Sequence, residues 1–391
     1  MTMSLSRKAS LAAVLALSLA PPAAPRTDSL PPIPNIAGLA LTVTGPVEPS
    51  RLGQTLMHEH IFVDFKFSGS LRPEPATDAE LSLQPVTLAN LHKARAGHWI
   101  ADNDFLGDFE ESLAEVLEFK AAGGGTIVDV SGIRLGRDPV GLFRISNASG
   151  LNIVMGGSWY QKKYHPPNFS DLTLDELTAG MVRDIAVGVD GTEIRSGIIG
   201  EIGINGDPLT ANELKLVRAS ARASRLTGAP MTFHVGGVGE EKFRVLKIVA
   251  DEGVAMSSVV MGHSNGLAFD FPFARRILAL GVFIEFDWLG ALGSPGGFLE
   301  ARTNRKVAEG IARLVREGYA GQIVLSHDIC NKIQLKKFGG LGYTYIHEYF
   351  LPVLRELGVG EADIRKMMVE NPARALAFAE PKPLVGGGSP R

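Results

Sequence analysis

Gly53-Gln54-Thr55-Leu56-Met57-His58-Glu59-His60 is a short apolar run that ends in two histidines one residue apart. In a strand, residues i and i+2 share a face, so the imidazoles of His58 and His60 converge on one point. Neutral imidazole is a ready ligand for zinc and similar ions, and a metal is the usual reason for such convergence. The same design, an apolar run stopping on a residue able to bind a metal, returns further along the chain.

Working outward, eight β-branched runs stand at Leu56–His60, Thr126–Val130, Asn152–Trp159, Ile198–Gly203, Met231–Val235, Val259–His263, Val282–Asp287 and Ile323–Asp328. Amphipathic segments separate them, among them Phe109–Ala122, Leu174–Val187, Ala211–Thr227, Glu240–Glu252, Phe271–Leu280 and Thr303–Glu317, and several stop at a glycine such as Gly123, Gly228, Gly253, Gly281 or Gly318. Eight strand–helix units predict an α/β chain folded as a single-domain (β/α)8 TIM barrel, with functional residues at the carboxyl ends of its strands. Lys66–Asn103 contains proline, has weak periodicity and reads as an insertion after the first strand. The expected organisation is a signal peptide over 1–25, a linker over 26–38, the barrel over 39–380 and a disordered tail over 381–391, which holds Gly386-Gly387-Gly388.

With 391 residues, 45% of them apolar, the chain can bury a large core. A net charge of −3 with mixed signs argues against a nucleic-acid partner. Cys330 is the only cysteine, so ligands to a metal must be His, Asp or Glu. Arg7 and Lys8 precede the apolar stretch Ala9–Ala20, which predicts export to the periplasm or beyond; were the leader spurious, the protein would be cytoplasmic. No other stretch approaches the ~20 apolar residues of a membrane span, so no membrane partner is expected.

Further runs end on candidate ligands: Glu201 after Ile198-Ile199-Gly200, His234 after Met231-Thr232-Phe233, His263 after Val259-Val260-Met261-Gly262, and Asp328 after Ile323-Val324-Leu325-Ser326-His327. A single strand-end histidine is more often a hydrogen-bonded core residue, and a lone aspartate a helix cap. Together, four imidazoles and two carboxylates at strand ends of one barrel are the complement of a two-metal site with one bridging carboxylate. Two divalent ions, zinc foremost, are the expected cofactors. The expected reaction is hydrolysis, with a shared water becoming hydroxide.

The order H-x-H, Gly-Glu-Ile-Gly, Thr-Phe-His, Met-Gly-His-Ser and Leu-Ser-His-Asp resembles the phosphotriesterase-like family of the amidohydrolase superfamily. The likeness extends to Gly124-Gly125-Thr126-Ile127-Val128-Asp129, Gly136-Arg137-Asp138, Gly339-Gly340-Leu341-Gly342-Tyr343 and Glu370-Asn371-Pro372-Ala373. This resemblance implies that His58, His60 and Asp328 hold the more buried ion, His234 and His263 the more exposed one, and that Glu201 bridges. It also implies that Asp328 takes the proton of the attacking hydroxide and that the substrate is a small ester, a lactone or phosphotriester, attacked at a polarised C=O or P=O. The oligomeric state is left open, a homodimer being frequent among the proteins it resembles. Efficient organophosphate and lactone hydrolases of the family carry a carboxylated lysine where this chain has Glu201, so the sequence is most similar to the glutamate-bridged branch.

Tyr160 and Arg137 are candidates for substrate contact, as is Lys332 beyond Asp328, each weighed against a purely structural place. His165 reads as a surface residue, Cys330 as inert, and Glu59 and His327 as facing away from the metals. Loops after strands 3, 7 and 8 are expected to set specificity, with Leu289–Phe298 as a lid. The alternatives are a nuclease like the TatD deoxyribonucleases, which share Gly-Glu-Ile-Gly, a single-metal deaminase, an amide hydrolase, and a non-catalytic small-molecule binder on the same barrel.

Overall fold

A computed structural model describes residues 30–66, 79–290 and 301–384. The expected signal peptide, most of the expected lid and the end of the tail lie outside them.

Eight parallel strands form the barrel: β1 Gln54–Glu59, β2 Gly124–Asp129, β3 Asn152–Met155, β4 Ile199–Ile204, β5 Met231–Val235, β6 Val259–Met261, β7 Phe283–Phe286 and β8 Ile323–Leu325. β1–β3 and β4–β8 are continuous ladders. A bridge between Gly156 and Ile198 joins β3 to β4. The ring closes where the Asp328 amide donates to the His58 carbonyl at 3.1 Å and the His60 amide to the Ile329 carbonyl at 3.1 Å. The run expected over Asn152–Trp159 ends as a strand at Met155, because Gly156 and Gly157 lie against the backbone of Gly200 and the Ser196 side chain, where any Cβ would collide.

Inside the barrel Met57, Val128, Val154, Ile198, Val260 and Val324 pack as one cluster, floored by Ala40 and Leu52. A short hairpin, Ala40–Thr42 with Gly45–Val47, lies at the amino end of the barrel, where the Val43 amide donates to the Ile153 carbonyl. The outer faces of the strands meet helices α1 Phe109–Ala121, α2 Pro139–Ser149, α3 Leu174–Ala186, α4 Ala211–Thr227, α5 Glu241–Asp251, α6 Phe271–Leu278 and α7 Ala301–Arg316. Thr173 with Glu176 and Thr210 with Glu213 form capping boxes that start α3 and α4, and Asp138 caps α2.

Two register shifts bear on the site. From Leu56 to Glu59 β1 spends three steps where β2 spends two, from Ile127 to Asp129, so Met57 and His58 together oppose Val128. Likewise Gly200 and Glu201 together oppose Thr232. Such bulges re-aim side chains next to functional sites. A Cβ on Gly200 would sit 2.2 Å from the Thr232 methyl, which explains glycine there.

Candidate metal centre

His58 and His60 leave the end of β1 on its inner side, Glu201 leaves the bulge of β4, and His234 lies in β5. His263 and Asp328 stand just past β6 and β8, both in the left-handed region with φ of 50° and 56°. That conformation costs a non-glycine residue of order 1 kcal/mol or more and persists only where neighbours hold it. The six groups meet. His58 Nε2 is 3.3 Å from Glu201 Oε2, and His60 Nε2 is 3.6 Å from Glu201 Oε1 and 3.3 Å from Asp328 Oδ1. His234 Nδ1 is 2.8 Å from Glu201 Oε2 and 2.8 Å from His263 Nε2.

The donor set was tested for fit to cations on this geometry. His58, His60 and Asp328 form one ligand group, and Glu201, His234 and His263 another. His58 Nε2 is fully buried and lacks a well-aligned hydrogen bond, the Glu201 carboxylate lying 3.3 Å from it, which leaves its lone pair open to a ligand. The His263 Nε2 and His234 Nδ1 nitrogens face each other at 2.8 Å and share a proton in a hydrogen bond, so both lone pairs are aimed at one point. The donor set has the chemistry to hold divalent cations, and the Glu201 carboxylate lies within 3.6 Å of His58 and His60 on one side and 2.8 Å from His234 on the other.

Carboxylates behind the ligands set their tautomers, and sequence reasoning missed them. Glu285 lies 3.1 Å from His58 Nδ1, and Asp287 lies 3.1 Å from His263 Nδ1 while accepting the His263 amide. Each accepts a hydrogen bond from an Nδ1–H, which fixes the tautomer and turns the Nε2 lone pair toward the centre. His60 Nδ1 meets the Ser131 hydroxyl at 2.9 Å. The signal was present: Glu285 and Asp287 are charged residues at alternate positions of an otherwise apolar strand. Burial pushes the Glu285 carboxyl up to about 7, against the lowering effect of His58.

Burial alone would lower the imidazoles, yet the surrounding acids reverse it at His58, His60 and His263, which are raised. Burial raises Glu201, but His234 and His58 outweigh it and hold that carboxyl well below the usual range. Without metal this cluster attracts protons, so metal binding displaces them, and apparent affinity falls as pH drops through the raised imidazole range. We expect metal content after dialysis to be complete well above neutrality and to be lost as pH falls through and below the ordinary imidazole value of ~6.5, because three of these imidazoles are raised above it. Content that does not change with pH would contradict this.

A cavity of about 650 Å³ opens over the site, lined by His234, His263 and Asp328 among others. Tyr160 is in its wall, with its hydroxyl 3.1 Å from His234 Nδ1. Burial, then the charges of Glu201 and Asp328, push the Tyr160 phenol well up, so it stays a donor. Trp288 Nε1 donates to Asp328 Oδ2 at 3.1 Å. Cys330 also lines the cavity, its thiol held well up by burial. Lys163 is the one lysine or arginine in the wall among the described residues.

The other two candidates for substrate contact are placed elsewhere. Arg137 is buried against Asp184 at 2.8 Å and Asp190 at 3.2 Å and does not line the cavity. Lys332 pairs with Asp102 at 2.7 Å, facing the insertion. His165 is half-buried, stacks on Phe169 at 3.7 Å and meets the Tyr160 carbonyl at 2.7 Å. His327 faces the helices, where its Nε2 accepts the Ile346 amide. The insertion is more structured than its sequence suggests: it holds short helices at Ala79–Ser82 and Leu91–Arg95 and a 3-10 turn at Ala101–Asp104, and it forms one wall of the cavity.

The sequence profile of the Phosphotriesterase family matches residues 39–376. The N-acetyltaurine hydrolase of Xenopus tropicalis is 32% identical over 355 residues, covering 88% of this chain and 99% of that one. Among solved structures, a resiniferatoxin-binding protein from Rhodobacter sphaeroides superposes with a TM-score of 0.80 at 35% identity, covering 87% of this chain and 95% of that one. A lactonase from Listeria monocytogenes gives 0.71 at 25% identity, with 87% and 99% covered.

Proposed function

The chain belongs to the phosphotriesterase family of metal-dependent hydrolases, and from that premise we propose that it cleaves the amide bond of a small N-acylated amine with the help of two divalent ions. The observation that carries the catalytic part is the convergence of four imidazoles and two carboxylates from five strand ends on one buried point. The amide is favoured by the likeness to an N-acetyltaurine hydrolase over nearly the whole of both chains.

His58, His60 and Asp328 would hold one ion and His234 and His263 the other, with Glu201 between them. An imidazole-rich N/O set suits zinc. When bound, such a pair of cations polarises a carbonyl and makes water acidic enough to attack near neutral pH. Asp328 would accept the proton of that water. An amine leaves only when protonated, so Asp328 would return the proton to the leaving nitrogen, a demand that an ester makes less strongly. Tyr160, a fixed donor beside His234, would hydrogen-bond the substrate carbonyl. Lys163 offers a cation for an acidic group on the substrate.

The second reading is hydrolysis of a lactone or other ester, favoured by the likeness to a lactonase and served by the same attack on C=O. Phosphotriesters stand third, because Glu201 occupies the bridging position. The test is metal analysis joined to rates on N-acyl amines, lactones, carboxylic esters and phosphotriesters. We expect about two ions per chain, the complement of a two-metal site, and the highest kcat/KM on an N-acyl amine. A rate confined to lactones or esters would move the conclusion to the second reading. No hydrolysis by metal-replete protein would overturn both.

A further inference from the structure

We propose that the insertion after β1 builds an apolar binding site for a substituent much longer than acetyl, so that the preferred substrates are N-acylated amines with a medium-length or long acyl chain. This rests on the amide reading for the bond that is cut, while the subsite stands on the shape and lining of the cavity.

A cavity of about 650 Å³ has the volume of some twenty waters at ~30 Å³ each, and falls in the range that encloses drug-sized ligands. A short acetylated amine of about ten non-hydrogen atoms, even at that generous volume per atom, would fill less than half of it. Much of the lining comes from the insertion and the chain beside it, where Ala94, Ala96 and Gly97 bring little or no side chain and Phe65, Trp99 and Tyr164 bring aromatic rings, with His98, Asn103, Asp104 and Lys163 as the polar groups of that end. A row of residues that adds no bulk between aromatic walls fits an alkyl chain, and buried methylenes are a strong source of affinity in such places.

The wall is also fixed in place, as a binding surface must be. Asp104 accepts from Trp99 Nε1 at 2.9 Å and from Asn331 Nδ2 at 2.9 Å. Asn103 Oδ1 accepts the Ile333 amide at 3.1 Å, and Asp102 pairs with Lys332. These bonds tie the insertion to the loop that follows Asp328, so the far end of the cavity keeps a set distance from the metal ligands. None of these groups is left free to act in chemistry, which separates this wall from the catalytic one.

The experiment uses the full-length, metal-replete protein, a series of N-acyl derivatives of one amine from acetyl through hexanoyl to decanoyl, and the variant Ala96→Trp. Ala96 is exposed, so the indole can be added without disturbing the core. In the wild type kcat/KM should rise at least about tenfold from acetyl to the best longer chain, the scale that even one methylene reaches in an apolar pocket. Ala96→Trp should remove that gain, lowering kcat/KM on decanoyl about tenfold more than on acetyl. A wild-type optimum at acetyl, or a variant that lowers every chain length equally, would overturn the subsite. If no amide of any length is cut, the amide reading fails on its own. The subsite is then decided by calorimetry with decanoic acid, where binding to the wild type and loss of binding in Ala96→Trp support it, and equal or absent binding in both refutes it.

Discussion

Replacing Asp328 with asparagine should lower kcat by about 10²–10⁴, the range of a lost general base. The two oxygens of this carboxylate are already divided between two tasks. Oδ1 faces the cations' place, 3.3 Å from His60 Nε2, and Oδ2 accepts the Trp288 indole. Indole N–H is a donor only, so Trp288 can orient the carboxylate but cannot take a proton from it. A proton collected by Asp328 therefore has the substrate or solvent as its next stop, which suits a reaction whose leaving amine needs one. Asparagine must turn its NH2 toward either the cations or the indole, so metal affinity should fall as well. Measuring kcat at saturating metal, with metal per chain determined on the same sample, separates the two effects. Full metal occupancy with a wild-type kcat would show that Asp328 is not the base.

How far the site could be read from the sequence depends on which physical signal each residue left. The six candidate donors could be picked out because each ends, or nearly ends, an apolar run, and a barrel gathers such ends on one face. The bulges were not. An apolar pattern reports which residues are buried and says nothing of whether three residues of β1 match two of β2, so the inward aim of both Met57 and His58, and of Glu201 behind Gly200, needed coordinates. Arg137 and Lys332 looked like substrate residues because they follow strands. What places them instead are acids distant in sequence, Asp184 and Asp190 for the first and Asp102 for the second, and no local pattern reveals such partners. The insertion was opaque for a related reason. Five of its apolar residues, Leu81, Val86, Leu91, Ala94 and Ile100, close on Ile333 from the β8 loop into a small core, while Leu83 and Leu88 stay exposed, so its pattern alone does not mark which side is buried.

Glu59 shows how much a single position between two ligands can carry, and Glu59→Ala should destabilise the fold by about 3–5 kcal/mol, the scale on which breaking a buried charged network is measured. The outward direction expected of it is what the structure shows, but the side chain is wholly buried and organises the end of β8. Oε1 accepts from the Ser326 hydroxyl at 2.8 Å, the His327 amide at 2.9 Å and His327 Nδ1 at 2.8 Å, while Oε2 accepts the Ile329 amide at 2.9 Å. These residues flank Asp328 on both sides, and Asp328 itself has a left-handed backbone that local preference would not choose. Truncation would orphan four donors, each worth about 1–3 kcal/mol when buried, and water entering the new space would recover part of that. The Ser326 hydroxyl also accepts the His58 amide at 2.8 Å, so the loss reaches the first ligand as well as the last. A denaturant midpoint well below wild type, together with metal content that is reduced at matched free metal, is the expected pair of results. Lower stability with full metal would mean that the Asp328 turn is held by the β1–β8 backbone bonds alone. An unchanged midpoint would mean that the clamp contributes nothing to the closure of the barrel.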